Sequence, residues 1–121
     1  MSLFTKRRKS LSMKQEDKEL ILVDLCARLP YNTKVRAFIG EKGECDEILG
    51  CVHILNFYAY NCKPYLRTMS SMTEEEEIYY NTVYTALKFY EKEDWLNANH
   101  FDYRGLIPMN LALEAPKGMY N

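Results

Sequence analysis

Between residues 100 and 104 the chain reads His-Phe-Asp-Tyr-Arg, which sets an imidazole, a carboxylate, a phenol and a guanidinium within five positions. His100, Asp102, Tyr103 and Arg104 are therefore a candidate patch for general acid–base work or anion binding. Nothing elsewhere supplies a nucleophile for them. The sequence has no Gly-x-Ser-x-Gly, no glycine-rich phosphate loop and no His-Glu-x-x-His, the arrangements in which spacing itself carries chemistry. A reading with fewer requirements makes the segment structural. Asp102 turns the chain, Arg104 pairs with an acidic helix start, and Phe101 and Tyr103 pack. The expectation is a protein that is not an enzyme and takes no cofactor.

A second constellation is Tyr58, Tyr60, Lys63, Tyr65 and Arg67. Aromatics interleaved with cations on a small sheet can stack bases and hold phosphates. They also suit a core with amphipathic rims, or a face that binds another protein. The charge balance orders these readings. With 16 Lys and Arg against 17 Asp and Glu, the net charge is -1, and no basic field surrounds the segment. A protein partner, or a second copy of this chain, comes ahead of nucleic acid, which stays the alternative through Lys63, Tyr65, Arg67 and the basic run Lys6-Arg7-Arg8-Lys9.

Isolated reactive residues read as structural. Cys26, Cys45, Cys51 and Cys62 form no Cys-x-x-Cys pair, and His53 and His100 are too far apart in sequence for a zinc pattern. No metal is expected, and the thiols read as reduced ones of a cytoplasmic protein. Cys26 falls on an apolar helical stripe as an inert buried thiol. His53 lies inside the most apolar strand candidate as a hydrogen-bonded core histidine and not a ligand. No apolar run nears the about 20 residues a membrane span needs, and no apolar signal core follows the leading charges.

The elements that must position these residues follow from periodicity. Apolar Ile21, Leu22, Leu25, Cys26 and Leu29 recur at helical spacing until Pro30, which predicts a helix over 18–29. Leu20, Val23 and Ala27 fall opposite, leaving Glu19, Asp24 and Arg28 as a strip facing water. A helix apolar on both sides is itself a contact candidate. Alternation over Val35–Ile39 before Gly40-Glu41-Lys42-Gly43 predicts a hairpin. A second strand is expected over Glu47–Ile54 and a third over Phe57–Cys62, with Pro64 ending the pairing. Thr73 and Glu76 stand in the relation of a capping box. They open a helix reaching about Lys92, with Ile78, Tyr79, Tyr80, Val83, Ala86, Leu87 and Tyr90 on its apolar arc. A short helix over Glu93–Asn99 carries Trp95 and Leu96.

Three blocks carry a resemblance: Asp24-Leu25-Cys26-Ala27-Arg28-Leu29-Pro30-Tyr31; Lys63-Pro64-Tyr65-Leu66-Arg67 with Ser70-Ser71-Met72-Thr73-Glu74-Glu75-Glu76; and Trp95-Leu96-Asn97 with His100-Phe101-Asp102-Tyr103-Arg104-Gly105-Leu106-Ile107. In these the chain resembles a family of small proteins of unknown function carried by gut-type anaerobic bacteria and by their phages and integrated mobile elements. The resemblance implies no activity and no catalytic residue. It implies that members begin near the equivalent of Met13, so that residues 1–12 are a dispensable, solvated basic leader to a single domain over 13–121.

The expected fold is α+β: an N-terminal helix, a three-stranded antiparallel meander, then a long and a short helix packed on the sheet. The expected function is that of a non-enzymatic accessory or protein-interaction module of a mobile element or phage, with the first helix or the tyrosine-rich strand as its contact surface.

Overall fold

A computed structural model describes residues 14–82 and 89–120. The basic leader lies outside the described residues, as do Val83, Tyr84, Thr85, Ala86, Leu87 and Lys88 of the expected second helix and the side chain of Phe89.

Among the described residues the chain is α+β, with a mixed four-stranded sheet whose strands lie in the spatial order Glu44–Ile48, Lys34–Phe38, Lys63–Leu66, Leu113–Glu114. The first helix, α1, spans Gln15–Arg28 and ends against a single 3-10 turn, Leu29–Tyr31, that contains Pro30. Its buried residues are Ile21, Asp24, Leu25 and Arg28, while Val23 and Cys26 are exposed. The buried face is thus rotated from the expected stripe by roughly 80°, a little less than one helical position. Two residues of the strip expected to face water, Asp24 and Arg28, are instead fully enclosed. Cys26, expected to be buried, faces out.

The hairpin forms, although its second strand begins at Glu44 and not at the expected Glu47. Strand β1, Lys34–Phe38, and β2, Glu44–Ile48, pair antiparallel from Lys34↔Ile48 to Phe38↔Glu44. Gly43 closes the loop at φ 72, a left-handed conformation that glycine adopts without a Cβ clash. Ile39 donates to the Gly43 carbonyl at 2.9 Å.

Beyond the hairpin the expected meander is replaced. Strand β2 stops at Ile48, and the segments expected as the rest of strand two and as strand three are the short helices α2, Cys51–Leu55, and α3, Phe57–Tyr60. Asn61, at φ 49, then reverses the chain. The third strand, β3, is Lys63–Leu66, and it runs through Pro64 where pairing was expected to end. It pairs antiparallel with β1, through Val35↔Pro64 and Arg36↔Lys63, and not with β2. Proline is tolerated because its nitrogen points away from β1, on the side where β4 has not yet begun. Strand β4, Leu113–Glu114, lies parallel to β3.

Helix α4, Glu74–Thr82, starts at the expected capping box: Thr73 Oγ1 accepts the Glu76 N–H at 3.2 Å, and Glu76 Oε1 accepts the Thr73 N–H at 2.9 Å. It buries no residue, and Ile78 and Tyr90 of the expected apolar arc are exposed. Instead of lying on the sheet, α4 stacks Tyr79 on Trp95 of helix α5, Phe89–Ala98, with ring centroids 4.9 Å apart. Trp95 continues to Phe101 at 5.7 Å, tying α5 to the core. One apolar core joins Ile21 and Leu25 of α1, Val35 and Ala37 of β1, Phe57, Leu66, Leu106 and Leu111.

Candidate functional site

The fold gives the five residues from His100 to Arg104 separate structural partners, with Tyr103 and Arg104 both turned to α1. His100 is left-handed at φ 64, its Nδ1 is 3.1 Å from Thr33 Oγ1, and its ring stacks on Tyr120 at 3.7 Å. Burial, then the Arg28 and Arg67 charges, lowers its pKa to about 4, so the imidazole is neutral at neutral pH. Phe101 is enclosed in the core. Asp102 turns the chain as expected, accepting the N–H groups of Leu106 at 2.7 Å and Ile107 at 2.9 Å. The Tyr103 ring is within cation–π reach of the guanidinium groups of Arg28 and Arg104, at 5.5 and 4.7 Å from its centroid. Arg104 does not reach the acidic helix start. It donates to Asp24 Oδ1 at 2.6 Å.

That bond belongs to a buried charge network that periodicity alone assigned to water. Asp24 Oδ2 accepts from Arg28 Nε at 2.8 Å, and Arg28 Nη2 donates to the Phe101 carbonyl at 2.7 Å. One carboxylate therefore holds two guanidinium groups in a water-poor site, an arrangement stable only when each charge is paired and hydrogen-bonded. Asp24 and Arg28 are one helical turn apart, but the groups that complete the network, Arg104 and the Phe101 carbonyl, lie far along the chain, so no local pattern announces its burial.

The second constellation is also divided. Tyr58 projects from α3 with the Lys18 ammonium 5.2 Å over its ring, and Tyr60 packs edge-on against His53. Arg67 is held on all sides: Glu76 takes Nη2 at 2.6 Å and Nη1 at 2.9 Å, the Ser71 and Asn99 carbonyls accept at 3.3 and 3.4 Å, and the Phe101 ring lies 4.2 Å beneath. Arg67, not Arg104, takes the acidic helix start. Tyr65 is only 4% exposed, so it presents no free ring face for a base. Of the five residues, only Lys63 and Tyr65 share a surface, the outer face of the sheet.

Among the described residues that outer face is exposed along β1 and β2, while Tyr65 on β3 is covered. Along β1, Val35 and Ala37 point into the core, while Arg36 and Phe38 point away from it. On β2 the same side carries Glu44, Asp46 and Ile48, all exposed. Tyr65 reaches across from β3 to donate to Asp46 Oδ1 at 2.8 Å, and Arg36 lies 5.5 Å over its ring. Burial, followed by the Asp46 hydrogen bond, raises the Tyr65 pKa and keeps it a donor. Arg36 reaches Asp46 at 3.4 Å and Glu44 at 3.9 Å, so one guanidinium faces two exposed carboxylates. Phe38, 54% exposed, and Ile48, 56% exposed, stand at opposite ends of this polar centre. A shallow depression lined by Arg36, Phe38, Glu44, Asn61, Lys63 and Leu113 runs beside it. Sequence reasoning placed none of Arg36, Phe38, Glu44, Asp46 and Ile48 in a site, although their alternation with buried Val35 and Ala37 was available as a signal.

His53 is a buried hydrogen-bonded histidine, on helix α2 rather than a strand. Its Nδ1 accepts the Gly50 N–H at 2.9 Å, so Nε2 carries the hydrogen and donates to Glu47 at 2.8 Å. Among the described residues no group of three or more His, Cys, Asp or Glu is placed to hold a metal ion, and no helix is long and apolar enough to cross a membrane. Cys62 is buried, which pushes its thiol up to about 11. Comparison of the chain with models of protein families, with curated proteins and with solved structures finds no match.

Proposed function

We propose that this protein is a non-enzymatic interaction module, an accessory of a mobile element or phage, and that its contact surface is the outer face of the sheet. The mobile-element half of this reading rests on the three resemblance blocks around Asp24–Tyr31, Lys63–Glu76 and Trp95–Ile107. The interaction half rests on one observation: among the described residues Phe38 and Ile48 stay more than half exposed on the outer side of the sheet, opposite the core residues Val35 and Ala37. Exposed aromatic, aliphatic and arginine side chains on one face can form a protein contact, since aromatics and arginine are enriched there relative to the rest of a surface. Arg36, Asp46 and Tyr65 hold one another in place, so a partner would meet a prearranged surface and lose little side-chain entropy. The dispersal of His100, Asp102 and Arg104 to separate structural bonds supports the non-enzymatic part.

The test is capture of partners by tagged protein from the cells that carry it, with a Phe38→Asp/Ile48→Asp variant beside the native chain. Loss of a captured protein together with an unchanged melting curve is the expected result, since both side chains contribute little to folding. The same set of captured proteins for both chains would sink the reading.

A further inference from the structure

The sheet ends at β2, and that edge has a defined polarity. Leu49 donates to the Thr33 carbonyl at 2.7 Å and Ile39 to the Gly43 carbonyl at 2.9 Å. Hydrogen-bonded pairs alternate in an antiparallel ladder, so Cys45 and Glu47 bond β1 while the N–H and C=O groups of Glu44, Asp46 and Ile48 point outward. Among the described residues β2 pairs with β1 alone. Edge strands are ordinarily blunted by shortness, charged side chains, proline, a bulge or a covering segment. Strand β2 reads Glu-Cys-Asp-Glu-Ile in unbroken register without proline or bulge, and its outward residues are exposed; the charges that guard it are all carboxylates, which repel an acidic strand and attract a basic one.

We propose that the free edge of β2 accepts an extended, basic segment of a partner protein as a fifth strand. This rests on the interaction reading above and specifies the partner's chemistry. Unpaired backbone groups recognise any extended chain, and flanking side chains select among them. Here the selection is by charge. Glu44 and Asp46 lie on the outer face and Glu47 on the inner one, with Arg36 the single cation paired to the first two. The remaining cations of the sheet are remote. An incoming strand would lie about 10 Å from Lys34 on β1 and about 14 Å from Lys63 on β3, at strand spacings near 4.8 Å, beyond the screening length of about 8 Å at physiological salt. A second copy of β2 is disfavoured, because antiparallel self-pairing sets carboxylates against carboxylates. Exposed Ile48 and Phe38 at the two ends suit apolar residues alternating with the basic ones.

The test titrates native protein into a labelled peptide of alternating lysine and valine, followed by fluorescence polarisation. Saturable binding is expected at low salt, weakened by added salt. Binding should fall by about tenfold or more when every second peptide nitrogen is methylated, and likewise when glutamate replaces lysine. Methylation leaves charge and side chains intact, so binding indifferent to it means electrostatic attraction without strand pairing and overturns the proposal. No saturable binding overturns it as well. In Glu44→Lys/Asp46→Lys the preference should switch to the glutamate peptide, and an unchanged preference counts against the edge. Should that variant not fold, the methylated and unmethylated peptides against native protein still decide. Sedimentation showing a dimer dissolved by Glu44→Lys would assign the edge to a second copy and overturn the proposal. A failed peptide titration alongside a capture that still depends on Phe38 and Ile48 removes strand addition alone; capture indifferent to both residues removes the wider reading.

Discussion

Tyr120 accepts the backbone N–H of Lys34 on its hydroxyl at 2.8 Å and donates that hydroxyl to the carbonyl of Tyr65 at 2.7 Å. Register makes this a substitution in the ladder. With Arg36 opposite Lys63 and Val35 opposite Pro64, Lys34 falls opposite Tyr65, so the phenol stands where the next rung between β1 and β3 would close. Burial pushes its pKa up to about 12, which keeps the hydroxyl protonated as a donor. Tyr120→Phe leaves an N–H and a C=O without partners, and should destabilise the protein by roughly 1–3 kcal/mol. The expected result is a lower urea midpoint at unchanged slope. An unchanged midpoint would mean that the strands close directly on each other.

The Asp24 carboxylate is the shared acceptor of Arg28 and Arg104, and the first two residues are fully enclosed. Asp24→Ala strips the counter-charge from an enclosed guanidinium and should cost roughly 3–5 kcal/mol. Replacing both partners, as Asp24→Leu/Arg28→Met, removes the stranded charge and should recover most of that loss. A double variant as unstable as the single one would show that the Arg28 bond to the Phe101 carbonyl, and not the ion pair, is what α1 requires.

Features encoded within a few residues were legible, and those completed by distant residues were not. The capping box at Thr73 and Glu76 and the turn at Gly40–Gly43 depend on neighbours in sequence, and both stand as read. Asp24 and Arg28 looked like a solvent strip because an i,i+4 ion pair is ordinarily exposed, and the groups that bury this one lie at Phe101 and Arg104. The run from Ile48 to Leu55 is apolar both at every second residue and at i, i+4. Such a short run fits strand or helix equally; Gly50, capped by the His53 ring, decides for the helix. Pro64 misled because its missing donor matters only toward a neighbouring strand, and β4 begins one residue later. The candidate surface was visible only in Lys63 and Tyr65, since its other members come from the hairpin.

His100 gives the stability a pH dependence whose sign follows from its neutral native state. Its pKa is lowered from 6.5 to about 4, with burial the leading cause. On acidification through that window the unfolded chain takes up a proton that the native protein excludes, so stability falls; below about 4 both states are protonated and this slope vanishes. His100→Gln removes the group and should flatten that part of the profile. The check is a series of urea midpoints from neutral pH downward for both proteins, with the His100 ring resonances followed by NMR. A ring that titrates near 6.5 in the folded protein would contradict the packing against Tyr120 and Thr33.

Glu76 gives the stability an acid-side pH dependence through its pairing with Arg67. Its hydrogen bond with Arg67 is the leading cause that lowers its pKa from 4.5, and the Thr73 N–H adds to it against the opposing effect of burial. A depressed carboxylate stabilises the native state fully above its unfolded pKa, and the contribution is lost as pH falls through the folded one. Wild type and Glu76→Gln should therefore differ by a constant amount near neutrality, with the gap narrowing only below about pH 4.5. Thr73→Ala removes the other half of the box and should cost about 1 kcal/mol, with little change across that acid range, since its hydroxyl does not titrate. Because Glu76 also holds Arg67 over Phe101, its loss should exceed that of Thr73. Equal losses would show that the cap alone matters and that Arg67 finds other partners.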